Sequence, residues 1–411
     1  MNRPDLNNQN KSSQNSKRES SLEPASSGDS LFVKVAEACR LREGPAGVEQ
    51  FLQVIARRSP KDLKSLCREL NLPLPVAAAL RRELEKRGIL DRSQGLQLTE
   101  TGKQAAGDLA QLPSLLEPCA ACDTLGWSMP EQVQQELLPV IREICSQRPQ
   151  VDVTLDQALA TPETNLRRIA FLFENLPVTT RRLLFLGDDD WTSVCLAVAL
   201  NALKKEYPRN FSIQVFDIDS RIVSALNEWA DSQKAPLKAE IMDLRQIEHT
   251  RGLEKADAVF TDPPYTKNGL DLFTGWGRNL LERGSPFFLC YPMRDPNGQF
   301  QVEGIWRRWG FTLRQLRLGW NQYEGNTMHA GQSALYWLVA AGEPEVELFD
   351  VELESGFYTQ DSRKQPARQY QCQGCSRQWT IGPGCRWETI QELKVHGCPG
   401  CSGSRFRRIR G

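Results

Sequence analysis

Apolar positions recur at helical spacing through the first third of the chain. From Arg182 onward they become short unbroken runs alternating with amphipathic stretches. In the first region Leu31-Phe32-Val33 and Val35-Ala36 open one helix, and Val48 to Ala56 carries another. Ser59-Pro60 reads as an N-cap with proline at the first helical position, followed by Leu63, Leu66 and Leu70. Leu72-Pro73-Leu74-Pro75 predicts a turn, Val76 to Arg87 a helix ended by Gly88. Ile89-Leu90 and Leu96 to Leu98 predict two short strands, and Thr99 to Lys103 starts a last helix. Over 31–110 this order predicts a winged helix. Glu83 and Glu85 interleave with Arg81, Arg82, Lys86 and Arg87, which favours a solvated face or a dimerisation module over a reader of DNA phosphates.

Residues 111–179 read as a linker with helices at Glu131 to Cys145 and Glu163 to Glu174, joined by a polar connector from Asp152 to Ala160. Over 180–342 the predicted strands are Leu183 to Leu186, Ser212 to Phe216, Ala239 to Met242, Ala256 to Phe260, Phe287 to Tyr291, Leu313 to Leu318 and Ala334 to Ala340. Helices at Trp191 to Lys205, Arg221 to Gln233, Leu270 to Arg283 and Gly304 to Trp309 alternate with most of these strands, and a non-helical segment joins the last two. The fold class is therefore α/β, with a Rossmann-like sheet of the methyltransferase type and ligand sites at strand carboxyl ends.

Composition narrows this picture. Residues 1–30 are polar, rich in Asn and Ser, and lack the apolar stretch of a signal peptide, so they read as a disordered tail. No apolar run is long enough for a bilayer, which points to a cytoplasmic protein without membrane contact. The twelve cysteines then read as thiols or metal ligands. Fifty-one basic residues balance fifty-one acidic ones, so there is no general attraction to nucleic acid; a local basic patch stays open.

The candidate chemistry lies where the strands end. Gly187-Asp188-Asp189-Asp190 follows the first strand; glycine lets backbone approach a ligand, but three acids would repel a phosphate or a carboxylate. S-adenosylmethionine carries a carboxylate near this turn in most methyltransferases. Decarboxylated S-adenosylmethionine, or a polyamine, suits three acids better. At least one of them would serve equally well by capping the next helix. Asp217, with Asp219 as second choice, is placed to accept ribose hydroxyls, and Asp243 to accept an adenine amino group. After the fourth strand, Asp262-Pro263-Pro264-Tyr265 offers a carboxylate, a proline carbonyl and an aromatic face to an amine.

These motifs resemble those of the branched-chain polyamine synthases, or N4-bis(aminopropyl)spermidine synthases. The matching stretches are LGDDD (Leu186 to Asp190), FDIDSRIV (Phe216 to Val223), DLR (Asp243 to Arg245) and TDPPYTKNGLDLFTGWG (Thr261 to Gly277). The family has an acid after the second proline, where this chain has Tyr265. The resemblance implies aminopropyl transfer from decarboxylated S-adenosylmethionine to a polyamine nitrogen such as that of spermidine, with release of methylthioadenosine. Asp189 and Asp190 are then assigned to the amines, Asp190 as base. Asp262, Pro263 and Tyr265 hold the acceptor, with Asn321, Tyr323 and Glu324 as its wall. Gly187, Asp188, Asp217, Asp219 and Asp243 hold the nucleoside. A homodimer is expected. Two other readings compete: an S-adenosylmethionine-dependent amino-methyltransferase acting on nucleic acid, for which Asp-Pro-Pro-Tyr speaks, and a polyamine-sensing winged-helix regulator.

Beyond Glu345, within a connector and ribbon spanning 343–411, lie two Cys-x-x-Cys knuckles. Cys372, Cys375, Cys398 and Cys401 are separated by 22 residues between knuckles and predict a tetrahedral structural zinc, with iron as the second option. Cys385 and His396 are spare. Cys119 and Cys122 form a lone pair that Cys145 alone does not complete. The chain ends in a basic run from Arg405 to Arg410.

Overall fold

The computed structural model describes residues 27–107, 114–119, 127–204, 211–351, 357–358 and 368–409, apart from short breaks at 59, 61, 92, 94–95, 178, 325–330, 382–384 and 388–389. Most of the predicted tail, and Cys122, lie outside the described residues.

Helices α1 (Ser27–Cys39), α2 (Gly44–Arg58), α3 (Leu63–Leu70) and α4 (Leu74–Lys86) are followed by a hairpin of β1 (Leu90–Asp91) and β2 (Gln97–Leu98), then by α5 (Glu100–Ala106). Phe32, Val48, Phe51, Leu66, Leu80 and Leu84 pack into one core between them. Three expectations shift here. The first helix begins at Ser27, inside the predicted tail. Asp62, not Ser59, caps α3, accepting from the Ser65 amide at 2.8 Å. The predicted Leu72–Pro75 turn is half helix, because prolines 73 and 75 sit where a first turn needs no amide donor.

After a small pair, β3 (Glu117–Pro118) and β4 (Trp127–Ser128), come α6 (Glu131–Ser146) and α7 (Pro162–Asn175). The N-terminal unit docks on α7: Gln53 donates to the Glu174 carbonyl at 2.8 Å, and Arg58 to its carboxylate at 2.7 Å.

The central sheet comprises β5 (Arg182–Leu186), β6 (Ser212–Asp217), β7 (Leu237–Ile241), β8 (Ala258–Thr261), β9 (Pro286–Tyr291), β10 (Phe311–Gln322) and β11 (Gln332–Ala340). Its spatial order is β10-β11-β9-β8-β5-β6-β7. Strands β5 to β9 pair in parallel, and β11 runs antiparallel to both β9 and β10. Strands buried on both faces read as unbroken apolar runs, as in β8 and β9, where every residue is buried. Helices α8 (Thr192–Lys204) and α9 (Ser220–Gln233) belong to one side's core, and α10 (Lys267–Leu280) and α11 (Pro296–Arg308) to the other's. On α10, a side chain at Gly277 would collide with the Phe287 ring, so the helix lies close on the sheet. The chain leaves β5 for β6 on one side while β8 pairs on the other. This switch point opens a crevice at the carboxyl ends.

The C-terminal unit is a three-stranded sheet, β13 (Gln378–Ile381), β12 (Arg368–Cys372), β14 (Phe406–Arg408), with the short helix α12 (Ile390–His396).

Candidate active site

A cavity of about 390 Å³ lies in that crevice. Its walls include Gly187, Asp189, Asp190, Asp217, Asp243, Asp262, Pro263, Tyr265, Tyr323 and Glu324. The acids from four strand ends thus converge, because parallel strands all end on the same side.

Two residues predicted as nucleoside ligands lie outside the cavity lining. Asp188 is buried and accepts from the amide and hydroxyl of Ser193 in the first turn of α8; it caps that helix and does not line the cavity. Asp219 caps α9, accepting from the Arg221 amide at 2.9 Å and its guanidinium at 2.6 Å, and likewise does not line the cavity. Arg221 draws the Asp219 carboxyl down to about 2. Both placements follow from aspartate's preference for helix starts.

At the end of the crevice next to β6 and β7, Gly187 has φ +71°, a conformation that glycine adopts without strain. Asp217 accepts from the amides of Asp188 (3.0 Å) and Asp219 (2.8 Å), which aims it along the crevice. Burial raises its carboxyl despite those bonds. Asp243 lies against Arg245 at 2.8 Å; burial alone would raise its carboxyl, but the arginine bonds leave it lowered.

The other end is organised by a residue that the sequence reading missed. Arg168 of α7 has no solvent exposure. Its guanidinium donates to Asp190 Oδ2 and Asp262 Oδ2, each at 2.6 Å. It also donates to Asn321 Oδ1 at 2.9 Å and Tyr323 Oη at 3.0 Å. Tyr323 in turn donates to Asp262 Oδ2 at 2.6 Å, and Tyr265 to Asp262 Oδ1 at 3.2 Å. Asp190 additionally accepts from the Ala160 amide. Burial raises the Asp262 carboxyl to about 6; Arg168 opposes this and Asp190 adds to it. Asp190, expected as a base, lines the cavity and is ion-paired with Arg168. Asn321 holds Arg168 rather than walling the cavity.

Asp189 differs. It is mostly buried at the cavity wall, and its one hydrogen bond among the described residues comes from the Ala158 amide at 3.2 Å. Burial, and after it the nearby Asp190, Asp217 and Asp262, push its carboxyl well above the usual range. The connector 151–158, read as merely polar, supplies Val151, Val153, Leu155, Asp156, Gln157 and Ala158 to the cavity wall. Phe357 and Tyr358 close it from the C-terminal side. One signal for Arg168 existed. Asn165, Arg168 and Leu172 repeat at helical spacing on a buried stripe, and an arginine there needs acidic partners.

In the C-terminal unit, the four Sγ atoms of Cys372, Cys375, Cys398 and Cys401 lie within 4.8 Å of one another. Cys372 and Cys401 are 3.5 Å apart, and Cys375 and Cys398 3.6 Å, near the roughly 3.8 Å edge of a tetrahedral zinc–thiolate site. Amides of Gly374 and Gly400 each donate to a cysteine sulfur at 3.4 Å. Neither Cys385 nor His396 belongs to the cluster; His396 packs on Trp387. Cys145 is buried beside Asn165.

Comparison with known proteins follows the same line. The family model for the branched-chain polyamine synthase A C-terminal domain matches residues 136–365. An uncharacterized protein of Methanocaldococcus jannaschii is 30% identical over 92% of this chain and 93% of its own length. The N(4)-bis(aminopropyl)spermidine synthase of Thermus thermophilus is 29% identical over 76% of this chain and 88% of its own. A crystal structure of the Thermus thermophilus branched-chain polyamine synthase, in complex with N4-aminopropylspermidine and 5'-methylthioadenosine, aligns over 79% of this chain and 96% of that one, at 24% identity and TM-score 0.45.

Proposed function

This chain belongs to the branched-chain polyamine synthase family, and we propose from that premise that its cavity transfers an aminopropyl group from decarboxylated S-adenosylmethionine to a polyamine nitrogen of the spermidine type. The observation that carries this reading is the gathering of Asp189, Asp190, Asp217, Asp243 and Asp262 around one cavity. Such a lining attracts a sulfonium donor and a polycationic acceptor, and repels a phosphate chain.

Asp217 and Asp243 hold the nucleoside, the first through the ribose hydroxyls and the second through the base, with Gly187 allowing close backbone approach. Asp262, Pro263, Tyr265, Tyr323 and Glu324 hold the acceptor. Tyr265 stands where the family has an acid, so this wall binds an ammonium through an aromatic face and through Asp262 behind it. Arg168 cancels one negative charge and fixes Asp190 and Asp262 in place.

The acceptor nitrogen attacks the carbon next to the sulfonium. The carbon–sulfur bond breaks, its electron pair stays on sulfur, and methylthioadenosine leaves. The proton of a secondary acceptor amine passes to Asp189, the least engaged carboxylate of the set. It lines the cavity beside Asp262 and Tyr265, where a proton leaving the acceptor nitrogen can reach it. Holding nucleophile and carbon in line supplies the remaining acceleration.

Cys372, Cys375, Cys398 and Cys401 would hold one zinc, which stabilises the C-terminal unit. No described helix is long and apolar enough to cross a membrane. A cytoplasmic homodimer with a winged-helix N-terminal unit completes the reading. The test incubates the protein with spermidine and decarboxylated S-adenosylmethionine, and separately with S-adenosylmethionine and nucleic acid. Aminopropyl addition by mass is expected; methylation of the nucleic acid instead would overturn the reading.

A further inference from the structure

The neutral total charge conceals a strong separation. Residues 368–411 contain eight lysines and arginines against two glutamates, and the rest of the chain carries the matching excess of acids. Even with four thiolates on a divalent cation, this small unit stays positive. Arg377, Arg386, Lys394, Arg405, Arg407 and Arg408 are all exposed. None of them pairs with a carboxylate among the described residues. Elsewhere, cations such as Arg81, Arg87, Lys103 and Arg245 each pair with an acid close by in sequence.

Their placement follows from the ribbon. Gln373 donates to the Arg405 carbonyl at 2.9 Å, which sets Arg405 beside the first knuckle. Arg377 crosses the second knuckle, its guanidinium against Gly400. Arg407 and Arg408 follow on β14, whose residues pair with Gln371 and Tyr370 of β12. Cations therefore flank the four-cysteine cluster. No large apolar side chain of the described ribbon is exposed. A protein partner normally needs an apolar centre, and stable membrane anchoring needs an apolar or lipid element besides a basic patch. A phosphate backbone needs neither; it binds through released counterions alone.

We propose that the C-terminal ribbon docks the enzyme on nucleic acid through the phosphate backbone, without base specificity and with residues that do not line the acidic cavity. The claim does not depend on the aminopropyl reading. Nucleic acid here is a docking partner and not the substrate.

The test measures fluorescence anisotropy of a labelled twenty-nucleotide single-stranded RNA, and of a DNA duplex, with the full-length zinc-loaded protein. Binding is expected at 50 mM salt and should weaken steeply by 200 mM, with a log–log slope of about −3 for four or so phosphate contacts. The combined R405E, R407E and R408E variant should bind at least tenfold more weakly, while its zinc content and methylthioadenosine binding stay unchanged. R377E with K394E should weaken binding too, which guards against a β14 change that disturbs folding. Undetectable binding at 50 mM salt would overturn the proposal. So would equal affinity in both variants, or tighter binding to polyglutamate or to phosphatidylserine vesicles than to RNA.

Discussion

Replacing Arg168 by methionine removes the cation between Asp190 and Asp262 while roughly keeping its volume. Two contacts of 2.6 Å to carboxylates and three further hydrogen bonds disappear. The carboxylates stay buried, at side-chain exposures of 4% and 14%. Removing one partner of such a set costs about 3–5 kcal/mol, because the remaining charges lack compensation. Spread over a catalytic unit of this size, that amounts to a midpoint loss of roughly 10 °C. Arg168→Lys keeps the charge but reaches only one carboxylate well, so a loss of about 2 kcal/mol, that of one charged hydrogen bond, is expected. Urea unfolding followed by tryptophan fluorescence reads both. A double-mutant cycle supplies the mechanism: in an Asp190→Asn background the methionine change should cost less by about 1–3 kcal/mol. If R168M unfolds at the parental urea concentration, or its cost is undiminished in the Asp190→Asn background, the ion-pair account of this site is wrong.

Other outcomes follow from the same geometry. Asp189→Asn should lower turnover on spermidine by at least ~100-fold while leaving methylthioadenosine affinity within a few-fold, as fits a lost proton acceptor; calorimetry and product mass separate the two. The Asp262 carboxyl, raised to about 6, holds its proton more tightly folded than unfolded, so its contribution to stability is full below pH about 4 and fades as pH rises through about 6. Relative to Asp262→Asn, the parent should gain about 1 kcal/mol between pH 7 and pH 5; a gain in the opposite direction would refute the assignment. In the same window, affinity for a cationic acceptor should fall as Asp262 takes up its proton. Metal analysis should find about one zinc per chain, and Cys398→Ser should lose it; a folded, metal-free ribbon would rule the site out.

Much of this protein was legible one strand at a time. Unbroken apolar runs such as Phe287 to Tyr291 announce buried parallel strands, since both faces of each must be covered. Once the strands are placed, the acids after them fall at one end of the sheet, because parallel strands share a direction. The knuckle cysteines were legible for the same local reason, as their spacing is part of the chain.

Tertiary structure alone decided what each acid does. Asp188, Asp189 and Asp190 are adjacent and chemically identical in sequence. In the fold one caps α8, one faces the cavity, and one meets an arginine twenty-two residues upstream. A helix preceding the sheet delivers that arginine, and a connector of ordinary polarity becomes the cavity's wall. Periodicity reports which side of an element is covered. It does not report what covers it, and the ionisation and reach of a buried carboxylate depend on that neighbour.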